Sequence, residues 1–280
     1  MVSLFTKSLQ ETPEFLDNFI ILSIAFPVSP RNINIEKGTK KRRIFMDFST
    51  TIKRFGVEQL FRYLHKDPGK NMLRLMDWAD KFARGEFVSQ RKIIREAITD
   101  PAHPYHSFIY RLFTDLDEDV MNAMAVNFFI NASLVGWQKQ EEARKKYSCN
   151  IPYAILLDPT SACNLHCTGC WAAEYGNKLN LTVDEIDDII NQGKKLGVYL
   201  YIYTGGEPLV RKKDIIQLCE KHSDCVFLCF TNATLIDEAF ADEMLRVKNF
   251  VPAISLEGFE EATDGRRGDG VYQKVIDAIE

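Results

Sequence analysis

Three cysteines fall within eight residues of this 280-residue chain, in the run Asp158-Pro159-Thr160-Ser161-Ala162-Cys163-Asn164-Leu165-His166-Cys167-Thr168-Gly169-Cys170-Trp171. The spacing is C-x3-C-x2-C. Three thiolates on one short loop can hold three irons of a [4Fe–4S] cube, and the motif contains no fourth cysteine. One iron is then open to a substrate or cofactor. Structural zinc is the competing use: it takes four ligands, and His166 is the local candidate for the fourth. Zinc knuckles, however, come as two separated two-ligand units, unlike this run. Inert buried thiols are the third reading. A total of seven cysteines, odd in number, excludes a disulfide framework and suits a reducing compartment. The other four, Cys149, Cys219, Cys225 and Cys229, read as buried apolar thiols, with an auxiliary cluster at Cys225 and Cys229 as the alternative.

A second signal is Tyr203-Thr204-Gly205-Gly206-Glu207-Pro208. Two glycines let the backbone come close to a ligand, and the following carboxylate can receive an ammonium group. Taken alone, a tight turn before a helix explains the same tetrapeptide.

These residues need elements to hold them. Tyr153–Leu157 reads as a strand, and the cysteine loop leaves its carboxyl end. Thr182-Val183-Asp184-Glu185 fits a capping box, opening a helix that runs to about Leu196 and stops at Gly197. Strands are expected at Val198–Tyr203, Cys225–Phe230 and Phe250–Ser255, and helices near Lys213–Lys221, Asp237–Val247 and Val271–Glu280. Such alternation predicts a parallel sheet with right-handed crossovers, whose chemistry gathers at the carboxyl ends of the strands.

Upstream, residues 46–150 read as an all-helical domain. Phe55, Val57, Leu60, Phe61 and Leu64 recur at three- and four-residue spacing, as do Met72, Leu75, Met76, Trp78 and Phe82. Residues 1–45 form a poorly patterned extension whose basic cluster, Lys40-Lys41-Arg42-Arg43, reads as a solvated linker. A start at Met46 is one expectation; an unfolded protein after deletion of residues 1–45 would refute it. The apolar run Phe19–Phe26 is too short to span a bilayer, and Glu11, Glu14 and Asp17 precede it in place of a basic segment. No transmembrane segment is expected, and the protein reads as cytoplasmic. With 46% hydrophobic and 26% charged residues and a net charge of −4, the chain is neither disordered nor a small stapled scaffold. It carries no nucleic-acid signal.

From Tyr153 to Glu280 the chain resembles the radical S-adenosylmethionine (SAM) superfamily. The cysteine loop, Gly-Gly-Glu-Pro, Thr231-Asn232-Ala233-Thr234-Leu235, Ser255-Leu256-Glu257-Gly258 and the run Glu261–Gly268 carry the likeness. The run Glu261–Gly268 looks like the basic loop after the fourth strand. The arrangement looks like the subgroup of molybdenum-cofactor, peptide-modifying and nitrogenase-cofactor maturases. The resemblance implies a partial TIM-like βα barrel of about four βα units preceded by an all-helical N-terminal domain. It implies a [4Fe–4S] cluster on Cys163, Cys167 and Cys170, and S-adenosyl-L-methionine chelating the fourth iron. Gly205, Gly206 and Glu207 would bind the methionyl amine, Ser255 and Glu257 the ribose hydroxyls, and Arg267, or else Arg266, the methionyl carboxylate. Asn232 would face the same cavity, with an Asx turn as its structural alternative; for Arg266 and Arg267 the alternative is an exposed loop pair. The implied reaction is reductive cleavage of SAM to a 5′-deoxyadenosyl radical that abstracts hydrogen from an unidentified substrate. An external electron donor of flavodoxin or ferredoxin type would supply the electron.

Two departures stand out. Many relatives place an aromatic before the third cysteine, where this chain has Gly169; Trp171 either substitutes or is core. The chain also ends inside the fourth helix, so it resembles the front part of a longer protein. A non-catalytic or partner-dependent iron–sulfur protein, acting in maturation or electron transfer, is therefore the alternative function. His65, His103, His106 and His222 are unclustered and are assigned no role.

Overall fold

The structure, a computed structural model, describes residues 50–82, 88–176 and 178–280. The Phe19–Phe26 run, the Lys40–Arg43 cluster and Met46 lie outside the described residues. Four strands, β1 (Ala154–Leu157), β2 (Leu200–Tyr203), β3 (Val226–Thr231) and β4 (Phe250–Ile254), form one parallel sheet in the order β1-β2-β3-β4. Leu157 pairs with Tyr203, and Tyr203 with Cys229. Because side chains alternate along a strand, Leu157, Tyr201, Tyr203, Phe227 and Cys229 share one face. That face is buried against Ile186, Ile190, Ile215, Leu218 and Phe240, which come from the connecting helices. The opposite face stays open: Leu156 is 59% exposed and Phe230 44%.

The connecting helices form where local chemistry asks for them. Thr182 and Glu185 make the reciprocal capping box, with Glu185 N donating to Thr182 Oγ1 at 3.2 Å and Thr182 N to Glu185 Oε2 at 2.7 Å. Further along the chain Asp237 caps the helix Glu238–Val247 by accepting from Phe240 N. One expectation is corrected. Glu260–Arg267, read as part of a loop, is a helix, with Glu260 and Glu261 in its first turn and Arg266 and Arg267 in its last. That placement complements the helix dipole at both ends. A second correction concerns Cys149, which is exposed beside the left-handed cap Ser148, whereas Cys219, Cys225 and Cys229 are buried.

Numbered along the chain, the helices are α1 (Thr50–Lys66), α2 (Pro68–Phe82), α3 (Val88–Thr99), α4 (His106–Thr114), α5 (Glu118–Tyr147), α6 (Val183–Leu196), α7 (Lys212–Lys221), α8 (Glu238–Val247), α9 (Glu260–Arg267) and α10 (Val271–Ile279). The first four pack around Leu64, Met72 and Met76, from the stripes that the spacing predicts, and Ile98, with Ile109, Tyr110 and Phe113 of α4 partly buried against them. Pro68 opens α2 at a position where a missing N–H costs nothing.

Helix α5 is an unbroken 30-residue helix whose middle, Val126–Gly136, is wound as a π-helix. It is long and apolar enough to cross a membrane, but 56% of its apolar window is buried inside the protein. Its polar side chains explain its place. Asn127 Nδ2 donates to the carbonyls of Ser223 (2.8 Å) and Cys225 (3.1 Å), Asn131 Nδ2 to Asp224 O (2.9 Å), and Gln140 Nε2 to Gly197 O (2.9 Å). Those carbonyls precede β2 and β3, so α5 closes the amino end of the sheet. Ala132, Ala143 and Ile151 join the sheet's own core, which runs across residue 150 without a break. Asn127→Ala should strand two carbonyls and cost about 1–3 kcal/mol in urea unfolding; a change below a few tenths would show that water replaces the amide.

Candidate functional site

The cysteine loop leaves the carboxyl end of β1, opposite α5. Along it Cys163, Cys167 and Cys170 are half-buried, while Asn164, His166, Thr168 and Gly169 are exposed. Between Cys163 and Cys170 the three cysteines and Leu165 are therefore the more sheltered residues. Five neighbours pin it. Gly206 N donates to Thr160 O at 3.0 Å and Glu207 N to Ala162 O at 2.8 Å; Thr168 N donates to Arg266 O at 2.8 Å. Asn232 Nδ2 donates to Asn164 Oδ1 at 2.9 Å, and Asn164 Nδ2 to Thr234 Oγ1 at 2.8 Å. The glycines make the close approach feasible. A Cβ on Gly206 would sit 2.2 Å from Ala162 O, and Gly205 adopts φ +102°.

Burial pushes the Cys163 thiol up, and Glu207 and the other two thiols push the same way. Ionised sulfur at this position needs a cation. Among the described residues, no three His, Cys, Asp or Glu side chains converge as they would on a single metal ion. A cube of irons is wider than one ion and spreads its ligands further.

Glu207 is 1% exposed. Its Oε1 accepts from Leu209 N at 2.9 Å and Thr231 Oγ1 at 2.7 Å, and its Oε2 from Asn232 N at 2.7 Å. Burial raises its carboxyl, and the three donors only partly offset that. The side chain expected to receive an ammonium group is thus already engaged in tying the end of β2 to the end of β3. Asn232 is similarly engaged: its Oδ1 accepts from Thr234 N at 3.0 Å, the Asx turn that was its alternative.

Glu257 and Arg267, expected to serve different ends of one ligand, are paired with each other. Arg267 Nη2 stands 2.5 Å from Glu257 Oε1 and Arg266 Nη1 2.8 Å from Oε2. Burial works to raise the Glu257 carboxyl, but the bonds from Arg267 and Arg266 outweigh it and hold it below the ordinary value. Ser255 continues past β4, with its N–H on Thr231 O at 2.9 Å. Trp171 is 57% exposed and meets Tyr175 edge-on, so it is not core. Sequence reasoning missed Asn164 and Arg211. Arg211 donates to the carbonyls of Pro159 and Leu181, which flank the cysteine loop. Neither residue carries a signal in its type or spacing, because each bonds to a segment remote in sequence.

Residues 157–280 match the radical SAM superfamily. This stretch is a radical SAM domain. An uncharacterized protein of Archaeoglobus fulgidus is 32% identical over 146 residues, 50% of this chain and 34% of its own length. A GTP 3′,8-cyclase of Alkaliphilus oremlandii is 30% identical over 144 residues, 48% of this chain and 43% of its own. Streptococcus suis SuiB, solved bound to S-adenosylmethionine, aligns over 80% of this chain and 47% of that one, at 21% identity and a TM-score of 0.43. The chain spans less than half the length of these relatives.

Radical SAM proteins use a [4Fe–4S] cluster and SAM. The donor set of this domain fits the cluster: three half-buried cysteines on a single loop, with burial and the neighbouring acidic groups pushing the Cys163 thiol up. Glycines packed against that loop bring the end of β2 alongside it.

Proposed function

We propose that this chain is the cluster-bearing part of a radical SAM enzyme acting on a substrate yet to be identified. The observation that carries the reading is the cysteine loop, whose three half-buried thiols are pinned through backbone bonds to Gly206 and Glu207. Cys163, Cys167 and Cys170 would ligate three irons and leave the fourth to SAM. Held there, the two groups would supply one-electron reductive cleavage of the sulfonium, the electron coming from the external donor, and through it hydrogen abstraction from the substrate. The chain's own work is to hold and shelter. Gly205 and Gly206 would lie against the methionyl amine, Ser255 and Glu257 at the ribose, and Arg267 at the methionyl carboxylate. For Glu257 and Arg267 that role requires their mutual ion pair to open or to be shared.

The open face of the sheet, ending at the cysteine loop, would be the inner wall of a partial βα barrel of about four units. Helix α5 closes its amino end, which leaves the carboxyl end for substrate and for an external donor of flavodoxin or ferredoxin type. The odd count of seven cysteines, three of them clustered, supports a reducing, cytoplasmic setting.

Anaerobic reconstitution with iron and sulfide, followed by SAM and dithionite, should yield brown protein and 5′-deoxyadenosine. Cluster-loaded protein that gives no product and no spectral response to SAM would favour the second reading, a partner-dependent iron–sulfur protein. One zinc per chain without iron would overturn both.

A further inference from the structure

The cysteine loop is not held evenly along its length. Its first thiol, Cys163, stands between two bonds that lead to the ends of β2 and β3. Glu207 N donates to Ala162 O at 2.8 Å, and Asn232 Nδ2 donates to Asn164 Oδ1 at 2.9 Å. Asn164 then closes a ring. Its Nδ2 donates to Thr234 Oγ1 at 2.8 Å, and that hydroxyl donates to Asn232 Oδ1 at 2.7 Å, so each of the three side chains both gives and accepts. Asn232 N is in turn bonded to the buried Glu207. The next loop residue, Leu165, is partly buried against the core of Ala233, Val271 and Val275. Ala233, between two members of the ring, is fully buried at φ +63°. A residue other than glycine keeps that conformation only where its surroundings over-determine it. The turn after β3 therefore grips Asn164 by polar contacts and Leu165 by apolar ones.

That grip reaches a sulfur. Leu165 N donates to Cys163 Sγ at 3.4 Å, whereas among the described residues no donor stands on the sulfurs of Cys167 or Cys170. Asn164 lies between the thiol and the donating amide, so its anchored side chain fixes the peptide that carries the donor. A donor on a ligating sulfur stabilises the more negative, reduced form of a cluster and raises its potential. We infer that Asn164 is a positioning residue: through its ring with Asn232 and Thr234 it aims the Leu165 amide at Cys163 Sγ and so holds the cluster's reduction potential up. The inference rests on the radical SAM reading above.

The test uses the full chain, reconstituted anaerobically as wild type, Asn164→Ala, Thr234→Val, Thr234→Ser and His166→Ala. Redox titration without SAM gives the cluster potential, and iron and sulfide content identify loaded protein. Exchange of the Leu165 amide proton is followed by NMR before loading. Asn164→Ala should keep wild-type iron and reduce about tenfold less favourably, a potential lower by about 59 mV for one electron. Its Leu165 amide should exchange about tenfold faster. Thr234→Val, which leaves the Asn232–Asn164 bond, should fall between wild type and Asn164→Ala. Thr234→Ser, which keeps the hydroxyl, and His166→Ala, an exposed loop neighbour, should stay at the wild-type potential. A wild-type potential in iron-loaded Asn164→Ala overturns the inference and leaves the radical SAM reading intact; so does an equal fall in His166→Ala. Should Asn164→Ala lose its iron, Thr234→Val carries the test, and a wild-type potential there, or iron lost from both, overturns the inference. Wild-type protein that takes up no iron sinks the inference and the reading together.

Discussion

Replacing Cys163, Cys167 or Cys170 singly with alanine should leave anaerobically reconstituted protein with well under one iron per chain, against about four for the wild type. 5′-Deoxyadenosine formation should fall to background, a loss on the order of a thousandfold or more. The reason is the number of ligands. A loop that offers three thiols has no spare, and His166, the nearest other donor, is exposed. Cys225 and Cys229 make the internal control. Both thiols are fully buried in the layer between sheet and helices, and burial pushes them far up, so they are poor metal ligands. Cys229→Ala should retain iron and activity and lose only stability. Iron that survives Cys167→Ala but vanishes with Cys229→Ala would place the cluster elsewhere and undo the proposed site.

Glu207→Ala should be the most destabilising change near the site. It leaves three donors, Leu209 N, Thr231 Oγ1 and Asn232 N, without an acceptor in a place with 1% exposure. At about 1–3 kcal/mol for each stranded group, with some relief from an entering water, the cost is about 3–5 kcal/mol. For a domain of this size that lowers Tm by roughly 10 °C. Glu207→Gln keeps the shape and one carbonyl oxygen and should cost less. Acid titration separates the two substitutions further. Burial raises the folded carboxyl above the 4.5 of the unfolded chain, so the fold binds that proton more tightly than the unfolded state does. Wild-type stability relative to Glu207→Gln should therefore decline as pH rises from 4.5 through the folded value, then level off. A gap that widens with rising pH in favour of the wild type would mean that the donors outweigh burial.

Much of the fold could be read before folding. The capping box at Thr182, the stop at Gly197 and the four apolar strands are local features, each set by a handful of neighbouring residues, and each stands within a residue or two of its expected place. The exception is Glu260–Arg267. Its likeness to the basic loop after the fourth strand suggested a loop, but its charges, acidic first and basic last, suit a helix. The helical stripes of α1 and α2 were legible for the same reason that the strands were: burial follows the period of the element. The position of α5 was not. Its apolar residues suggested a helical core, yet what places it is three amides reaching carbonyls nearly a hundred residues away or fewer.

The three cysteine ligands and the glycine pair were written in residue types and spacing, because a cluster loop and a close backbone approach each need particular side chains at short range. Who answers which charge needed the chain folded. Glu207 looks like an ammonium acceptor in the linear sequence, but long-range donors from β3 turn it into a bracket. A carboxylate serves whichever donors stand nearest, and those are brought to it by packing rather than by its neighbours along the chain.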